Sequence, residues 1–293
     1  MDVKAQIAVI GGSGLTQIDG LRVIEELDMD TPFGKPSDII TIAEIEGRRV
    51  AFLPRHGRGH RINPSNVPYR ANIWALKSIG VFWIITFSAV GSLRLEYEPE
   101  HFCVPDQIID RTSRRPNTFF DDLVVHISNG HPFNEQLRQI LIKACRDEGV
   151  HTHDKGTYLC IEGPAFSTRA ESILYRTLGA DIVGMTANPE AKLAIEAEMA
   201  YATVAQMTDY DSWHESVVTV EEVITHMKNN VANVHHVIKR VIPMIPLGSE
   251  SQNPVSNALA LAITTDPACI HERFRSKYDL LLGKYVDFNG HRR

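Results

Sequence analysis

A chain of 293 residues, 43% hydrophobic and 23% charged, is long enough to bury a substantial core as one large domain or two small ones. Its net charge of −6 excludes the electrostatic footprint of a protein that grips nucleic acid or an anionic membrane. Four scattered cysteines (Cys103, Cys145, Cys160 and Cys269) form no C-x-x-C pair, which argues against a disulfide framework or structural zinc and fits a reducing, cytoplasmic setting.

The chain passes from Met1-Asp2 directly into a core strand, so no signal peptide is expected. That strand, Ile7–Ile10, runs into Gly11-Gly12-Ser13-Gly14. A dinucleotide fingerprint would place its third glycine where Gln17 stands, and no clear strand ends in an acidic residue about 20 residues on. Close backbone approach, free N–H donors and the Ser13 hydroxyl suit a single phosphate instead, with a tight structural turn as the alternative. Strands are predicted at Ile39–Ile45, Arg49–Leu53, Phe82–Ser88, Gln107–Asp110, Gly156–Ile161, Ile182–Met185 and Ala202–Thr208. Helices are predicted at Ala71–Ser78, Asn134–Glu148, Ser167–Leu178 and Glu190–Tyr201. Most strands are apolar throughout, as in sheets covered on both faces, so the fold class is α/β with a largely parallel or mixed sheet. The apolar stretch Ile79 to Gly91 is too short to span roughly 30 Å of bilayer as a helix. An amphipathic helix follows from Val220 to about Val241, stopped by Pro243, and a helical tail is expected over about 255–285. No composition shift marks a boundary, so residues 1–293 read as one domain.

In open α/β sheets ligands bind beyond the carboxyl ends of strands. Ser13, Arg55, His56, Ser88 and Thr186 all follow apolar runs closely and together supply a guanidinium, an imidazole and three hydroxyls. That set makes an oxyanion pocket if the strands are neighbours; strand-end caps are the alternative for each hydroxyl. His56 and His60 stand four apart like zinc ligands, but Gly57 and Gly59 disfavour a helix there and no carboxylate or cysteine is near, so no metal is expected. The pairs His151/His153 and His235/His236 read as solvated faces, and Arg111, Arg114 and Arg115 as solvated or carboxylate-paired. Asp209 and Asp211, at i and i+2 on an extended segment, project to one side at the mouth of a buried strand. Turn capping is the other reading. Phe166 and Ser167 add a stacking ring and a polar contact, with core packing the alternative for Phe166.

The motifs GGSGL, TPFGKPSD (31–38), PRHGRGH (54–60), NIWALKSIG (72–80), IDRTSRRP (109–116), IEGPAFSTRAES (161–172), MTANPEAKLAIEAEMAYA (185–202) and TDYDSW (208–213) together resemble the methylthioadenosine phosphorylases, within the trimeric purine nucleoside phosphorylases. The resemblance covers roughly residues 5 to 245 and implies one α/β domain with a central mixed, partly barrel-like sheet flanked by helices. It also implies a homotrimer or hexamer, inorganic phosphate as co-substrate, and no metal or organic cofactor. By motif, it assigns phosphate to Ser13, Arg55, His56, Ser88, Ala89 and Thr186, the ribose to Met185, and the purine to Phe166, Ser167, Asp209 and Asp211. His60, His126, Val220 and Val223 would face the 5′ substituent, His126 from a neighbouring subunit. The sequence departs from the family at Ser88, where threonine is frequent, and at Ala165 and Asn188. NPVSNAL stands where some microbial members carry a C-x-C pair.

The implied reaction is phosphorolysis of 5′-methylthioadenosine to adenine and 5-methylthioribose 1-phosphate. Asp209 would serve as general acid towards purine N7. The carboxylate pair argues for a 6-amino purine, because a 6-oxo group would present lone pairs to it. The alternatives are a 6-oxopurine or methylthioinosine phosphorylase, a hydrolytic nucleosidase that would leave the oxyanion pocket without purpose, and a non-catalytic nucleoside-binding protein.

Overall fold

The computed structural model describes residues 3–12, 18–215 and 219–293, apart from the side chain of Glu222. Ser13 therefore lies outside the described residues.

Eleven strands form one mixed sheet. The first half of the chain supplies β1 (Ile7–Gly11), β2 (Arg22–Leu27), β3 (Ile40–Ile45), β4 (Arg48–Pro54), helix α1 (Tyr69–Ser78), β5 (Trp83–Ser92), β6 (Phe102–Cys103), β7 (Gln107–Asp110) and α2 (Glu135–Asp147). The second supplies β8 (Thr152–His153), β9 (Thr157–Cys160), α3 (Arg169–Thr177), β10 (Ile182–Gly184), α4 (Ala187–Glu196), β11 (Ala200–Asp209), α5 (Val220–Val241) and α6 (Arg275–Leu282). Strand β5 is the hub. It pairs in parallel with β1 and β11 and, at its far end, antiparallel with β10.

Both faces of the sheet are covered, as the unbroken apolar strands require. On β1, where all five residues are buried, Ile7 and Val9 join the layer with α2 and α5, while Ala8 and Ile10 join the layer with α1, α4 and the C-terminal segment. The period of two along a strand sends alternate side chains to opposite faces. Burying each large side chain, such as Phe52, contributes about 1.5–3 kcal/mol. Two helices begin at side-chain caps: for α2 Asn134 accepts from the Leu137 amide, and for α3 Thr168 and Glu171 form a reciprocal capping box.

Three expectations change. The helix expected at Glu190–Tyr201 ends at Glu196, and Ala200 already belongs to β11. IEAEMAYA carries no turn residue and is buried throughout, its two glutamates included, so periodicity cannot locate the break; it falls at Glu198, whose backbone turns at φ 53°. The expected helical tail is mostly short 3-10 turns begun by Pro254 and Pro267, with only α6 regular. The tail still joins the core through Leu259, Ile263, Tyr278 and Phe288. Strands β2, β6 and β8 were not expected: β2 is largely exposed and the other two have only two residues each.

Among the described residues no helix is long and apolar enough to cross a membrane.

Candidate active site

The carboxyl ends of β1, β4, β5, β10 and β11 open onto a cavity of about 710 Å³. Its walls include Arg55, His56, Ser88, Ala89 and Thr186, together with Gly12 immediately before the undescribed Ser13. Phe166, Ser167, Met185, Asp209 and Asp211 line the same cavity, as do His60, Val220 and Val223. His126 does not. It is exposed, and its amide donates to the Ala262 carbonyl at 2.8 Å in the segment pinned by the C-terminal tail.

Arg55 is buried, and Glu190 of α4 holds it. Its Nε donates to Glu190 Oε1 at 2.6 Å and Nη2 to Oε2 at 2.9 Å, while Nη1 donates to the Phe87 carbonyl at 3.1 Å. Burial alone would lower the guanidinium's pKa; the Glu190 charge and hydrogen bonds more than offset it, and Arg55 stays cationic. The Tyr201 hydroxyl donates to Glu190 Oε2 at 3.0 Å, and Thr86 donates to Tyr201. A fixed cation thus stands in the cavity wall, with N–H groups beyond those used by Glu190 and Phe87.

His56 is pushed down to about 4 by burial and by the Arg55 charge. Its Nδ1 lies 2.9 Å from the Ile62 carbonyl, an acceptor, so Nδ1 carries the ring proton and Nε2 a lone pair. The His60 ring stacks on His56 at 4.4 Å between centroids.

The Ser88 and Tyr158 hydroxyls are buried without a hydrogen-bond partner among the described residues. Tyr158 lies across Gly184, where even a Cβ would meet its hydroxyl at 2.0 Å, so only glycine fits there. Native proteins rarely leave buried polar atoms unmet, and a wall with such orphans suits a polar guest.

Asp209 and Asp211 are both nearly fully buried at the end of β11. Asp209 Oδ1 accepts from the Asp211 amide at 2.9 Å and Oδ2 from the Thr208 hydroxyl at 2.8 Å. This local bond accompanies a backbone turn at Asp211 with φ 23°. Part of the turn-capping reading is therefore real, since Asp209 caps its own turn. Asp211 Oδ2 has no partner, nor do the neighbouring buried hydroxyls of Ser167 and Ser172. Burial raises the pKa of Asp211, against the pull of Ser172, the Ser212 amide and Ser167. Gly91 makes room for the pair: a Cβ there would lie 2.9 Å from Asp209 Oδ1 and 3.1 Å from Asp211 Cβ.

The register fixes how these groups face one another. Ser88 pairs with Ala205 and Gly91 with Asp209 on adjacent strands β5 and β11. The hydroxyl and the carboxylate are thus offset by three residues along the sheet, or about 10 Å. Phe166 is 42% exposed, which places it at the rim and not in the core.

Several lining residues carried no signal of a site: Gln206 sits inside an expected strand, and Ile224, Met227 and Val231 read only as part of the apolar stripe of the amphipathic helix. Glu190 was hidden within an expected amphipathic helix. Of the two readings for Arg115, the carboxylate-paired one holds: its Nε donates to Glu162 Oε1 at 3.2 Å. Arg115 is buried, and donates to the carbonyls of Met185 at 2.6 Å, Asn188 at 2.8 Å and Glu162 at 2.7 Å, which fastens the loop bearing Met185 and Thr186. His151 and His153 are joined by His101, as described below.

Residues 6–243 match the family described as Phosphorylase superfamily. The chain is 54% identical over 246 residues to an S-methyl-5′-thioadenosine phosphorylase of Hyperthermus butylicus, covering 83% of this chain and 90% of the relative. It is 48% identical to that of Geobacter sulfurreducens, covering 96% and 99%. A crystal structure of methylthioadenosine phosphorylase from an antarctic soil metagenomic library superposes with a TM-score of 0.89 at 44% identity, covering 95% of this chain and 99% of the other. A variant of the Schistosoma mansoni adenosine/methylthioadenosine phosphorylase in complex with methylthioadenosine gives 0.83 at 33% identity, covering 89% and 99%.

Proposed function

The chain belongs to the phosphorylase superfamily, and from that premise we propose that it splits 5′-methylthioadenosine with inorganic phosphate into adenine and 5-methylthioribose 1-phosphate. One observation carries the reading. A cationic, hydroxyl-bearing wall and a buried carboxylate pair line a single cavity, with Ser88 on β5 and Asp209 on the adjacent β11 offset by about 10 Å along the sheet.

In the reaction a phosphate oxygen forms a bond to C1′ as the C1′–N9 bond breaks, and the electron pair of that bond leaves with the purine. Phosphate held by Arg55, His56, Ser88, the Ala89 backbone, Thr186 and Ser13 stabilises the positive charge that develops on the ribose, then captures it. The bare Nε2 of His56 accepts from a protonated phosphate oxygen. A proton delivered to N7 makes the purine a neutral leaving group, a contribution of typically 10²–10⁴-fold. We assign that contact to Asp209. The raised pKa of Asp211, driven by burial, supports a proton resting on that carboxyl beside Asp209. The remaining carboxylate oxygens accept from the 6-amino group, and Met185 packs on the ribose.

His60, Val220 and Val223 take the 5′ substituent, with Ile224, Met227 and Val231 extending the apolar lining. We assign His126 to the site of a neighbouring copy, in keeping with its exposure outside this chain's own cavity, and infer a homotrimer or hexamer. This reading needs no metal and no organic cofactor, and places the enzyme in the cytoplasm.

The test is adenine release from methylthioadenosine with and without phosphate, beside methylthioinosine and inosine. Strict phosphate dependence with the adenine nucleoside far ahead is the expected result. Release without phosphate would identify a hydrolase. Light scattering on the same sample reads the assembly.

A further inference from the structure

We propose that His101, His151 and His153 form a binding site for a divalent transition-metal ion of the zinc type, outside the cavity and independent of the phosphorolysis. His101 lies fifty residues before His151 in the chain and meets His151 and His153 because β6 and β8 pair in parallel, with Phe102 opposite Thr152 and Cys103 opposite His153. His101 is one step before that register and so lies beside His151. Alternation along the strands then puts all three side chains on the same face.

The rings are in contact. His101 and His151 stack with centroids 3.9 Å apart and planes 4° apart, and His101 Nδ1 lies 3.3 Å from His153 Nε2. One ligand nitrogen of each residue falls within 4.8 Å of the other two. Around a tetrahedral zinc ion, nitrogens bound at about 2.0–2.1 Å sit about 3.4 Å from one another. One pair already has that separation. His151 is exposed, so a small rotation of its ring out of the stack brings the third nitrogen to the same spacing at little cost.

Stacking alone does not account for the arrangement. Tyr97 stacks on His153 at 3.8 Å and supplies an aromatic partner with no ligand atom aimed at the group. Three imidazoles are borderline donors and select zinc, nickel or copper over magnesium or calcium. Water completes the coordination sphere. None of the three lines the cavity, whereas the next residue, Glu100, accepts from Asn229 of α5 at 2.8 Å and meets His226 Nδ1 at 3.0 Å. An ion here would therefore fasten the short strands β6 and β8 to each other and to the loop that touches α5.

The experiment uses the full chain without an affinity tag, stripped with a chelator and titrated with zinc chloride by calorimetry, and with cobalt chloride by visible absorption. The expected result is one ion per chain, a higher melting temperature with zinc, and visible cobalt bands. His151→Asn and His101→Asn should each weaken binding by at least about tenfold and remove those bands. Because His151 is exposed, its substitution leaves the fold intact, and unchanged turnover of methylthioadenosine verifies this. Binding that persists at parental strength in the double variant, or no binding by the parent at millimolar zinc, overturns the proposal.

Discussion

Glu190 grips the edge of Arg55 through two hydrogen bonds, 2.6 Å from Nε and 2.9 Å from Nη2, with both side chains withdrawn from solvent. The carboxylate sets the pose of the guanidinium and keeps it charged. Removing one member of a buried pair leaves the other uncompensated, at about 3–5 kcal/mol. Glu190→Ala is therefore expected to lower the urea midpoint strongly. Glu190→Gln keeps the volume and loses the charge, and should raise the phosphate KM by at least about tenfold. A parental phosphate KM in Glu190→Gln would remove Arg55 from the phosphate site.

Asp209→Asn replaces an acceptor by a group that both donates and accepts. Turnover of methylthioadenosine should fall by about 10²–10⁴-fold, and the ratio of its kcat/KM to that of methylthioinosine should shift towards the 6-oxopurine. Unchanged base selectivity would contradict the assignment. Gly91→Ala tests the same contact from the neighbouring strand: its Cβ collides with Asp209 Oδ1, so purine kcat/KM should drop while the phosphate KM moves little.

The Tyr158 hydroxyl is a buried donor with no partner among the described residues. Deleting an unmet polar atom in place costs little or even stabilises. Tyr158→Phe should leave the melting temperature equal or higher. If the hydroxyl orients the phosphate-binding hydroxyls beside it, the phosphate KM rises several-fold in the same variant. A clear loss of stability would show that Tyr158 is bonded in the folded protein.

Glu196 accepts from the Phe119 amide and the Thr118 hydroxyl at 2.7 Å each, yet burial pushes it up to about 7. Folding therefore takes up a proton here between pH 4.5 and 7, and stability from this group falls as pH rises through that window. His56 acts oppositely. Lowered from 6.5 to about 4, it makes stability fall as pH drops from 6.5 towards 4. The two slopes largely cancel between pH 4.5 and 6.5. Glu196→Gln removes one of them, so denaturation midpoints should rise with pH across that window more steeply than in the parent.

The cavity was legible because phosphate-type side chains directly follow the apolar runs Ala51–Leu53, Phe82–Phe87 and Ile182–Gly184, and strand ends are where open sheets bind ligands. Glu190 was not legible: on a helical pattern a charged residue reads as solvent-facing, and only the tertiary fold shows it reaching Arg55. His101 was missed for a related reason, since parallel pairing across about fifty residues leaves no local trace. In α5 the stripe was right but its meaning was divided. Val234, Val237, Ile238 and Val241 are buried in the core, whereas Val220, Ile224, Met227 and Val231 stay partly open at the cavity. One hydrophobic period served packing at one end of the helix and ligand contact at the other.

That division gives the pocket one hard side and one compliant side. Strands β5 and β11 pair from Trp83 and Ala200 to Gly91 and Asp209 with one register shift after Met207, while the outer half of α5 is tied to the sheet through Glu100, at a surface contact of the kind worth about 0–1 kcal/mol. Under the proposed assignments, a guest with a longer thioether would meet the α5 side of the cavity, whereas a wrong base would meet the paired strands. Tolerance for the sulfur substituent can therefore drift through changes at Glu100, His226 or Asn229, none of which lines the cavity, while fidelity for the base stays fixed.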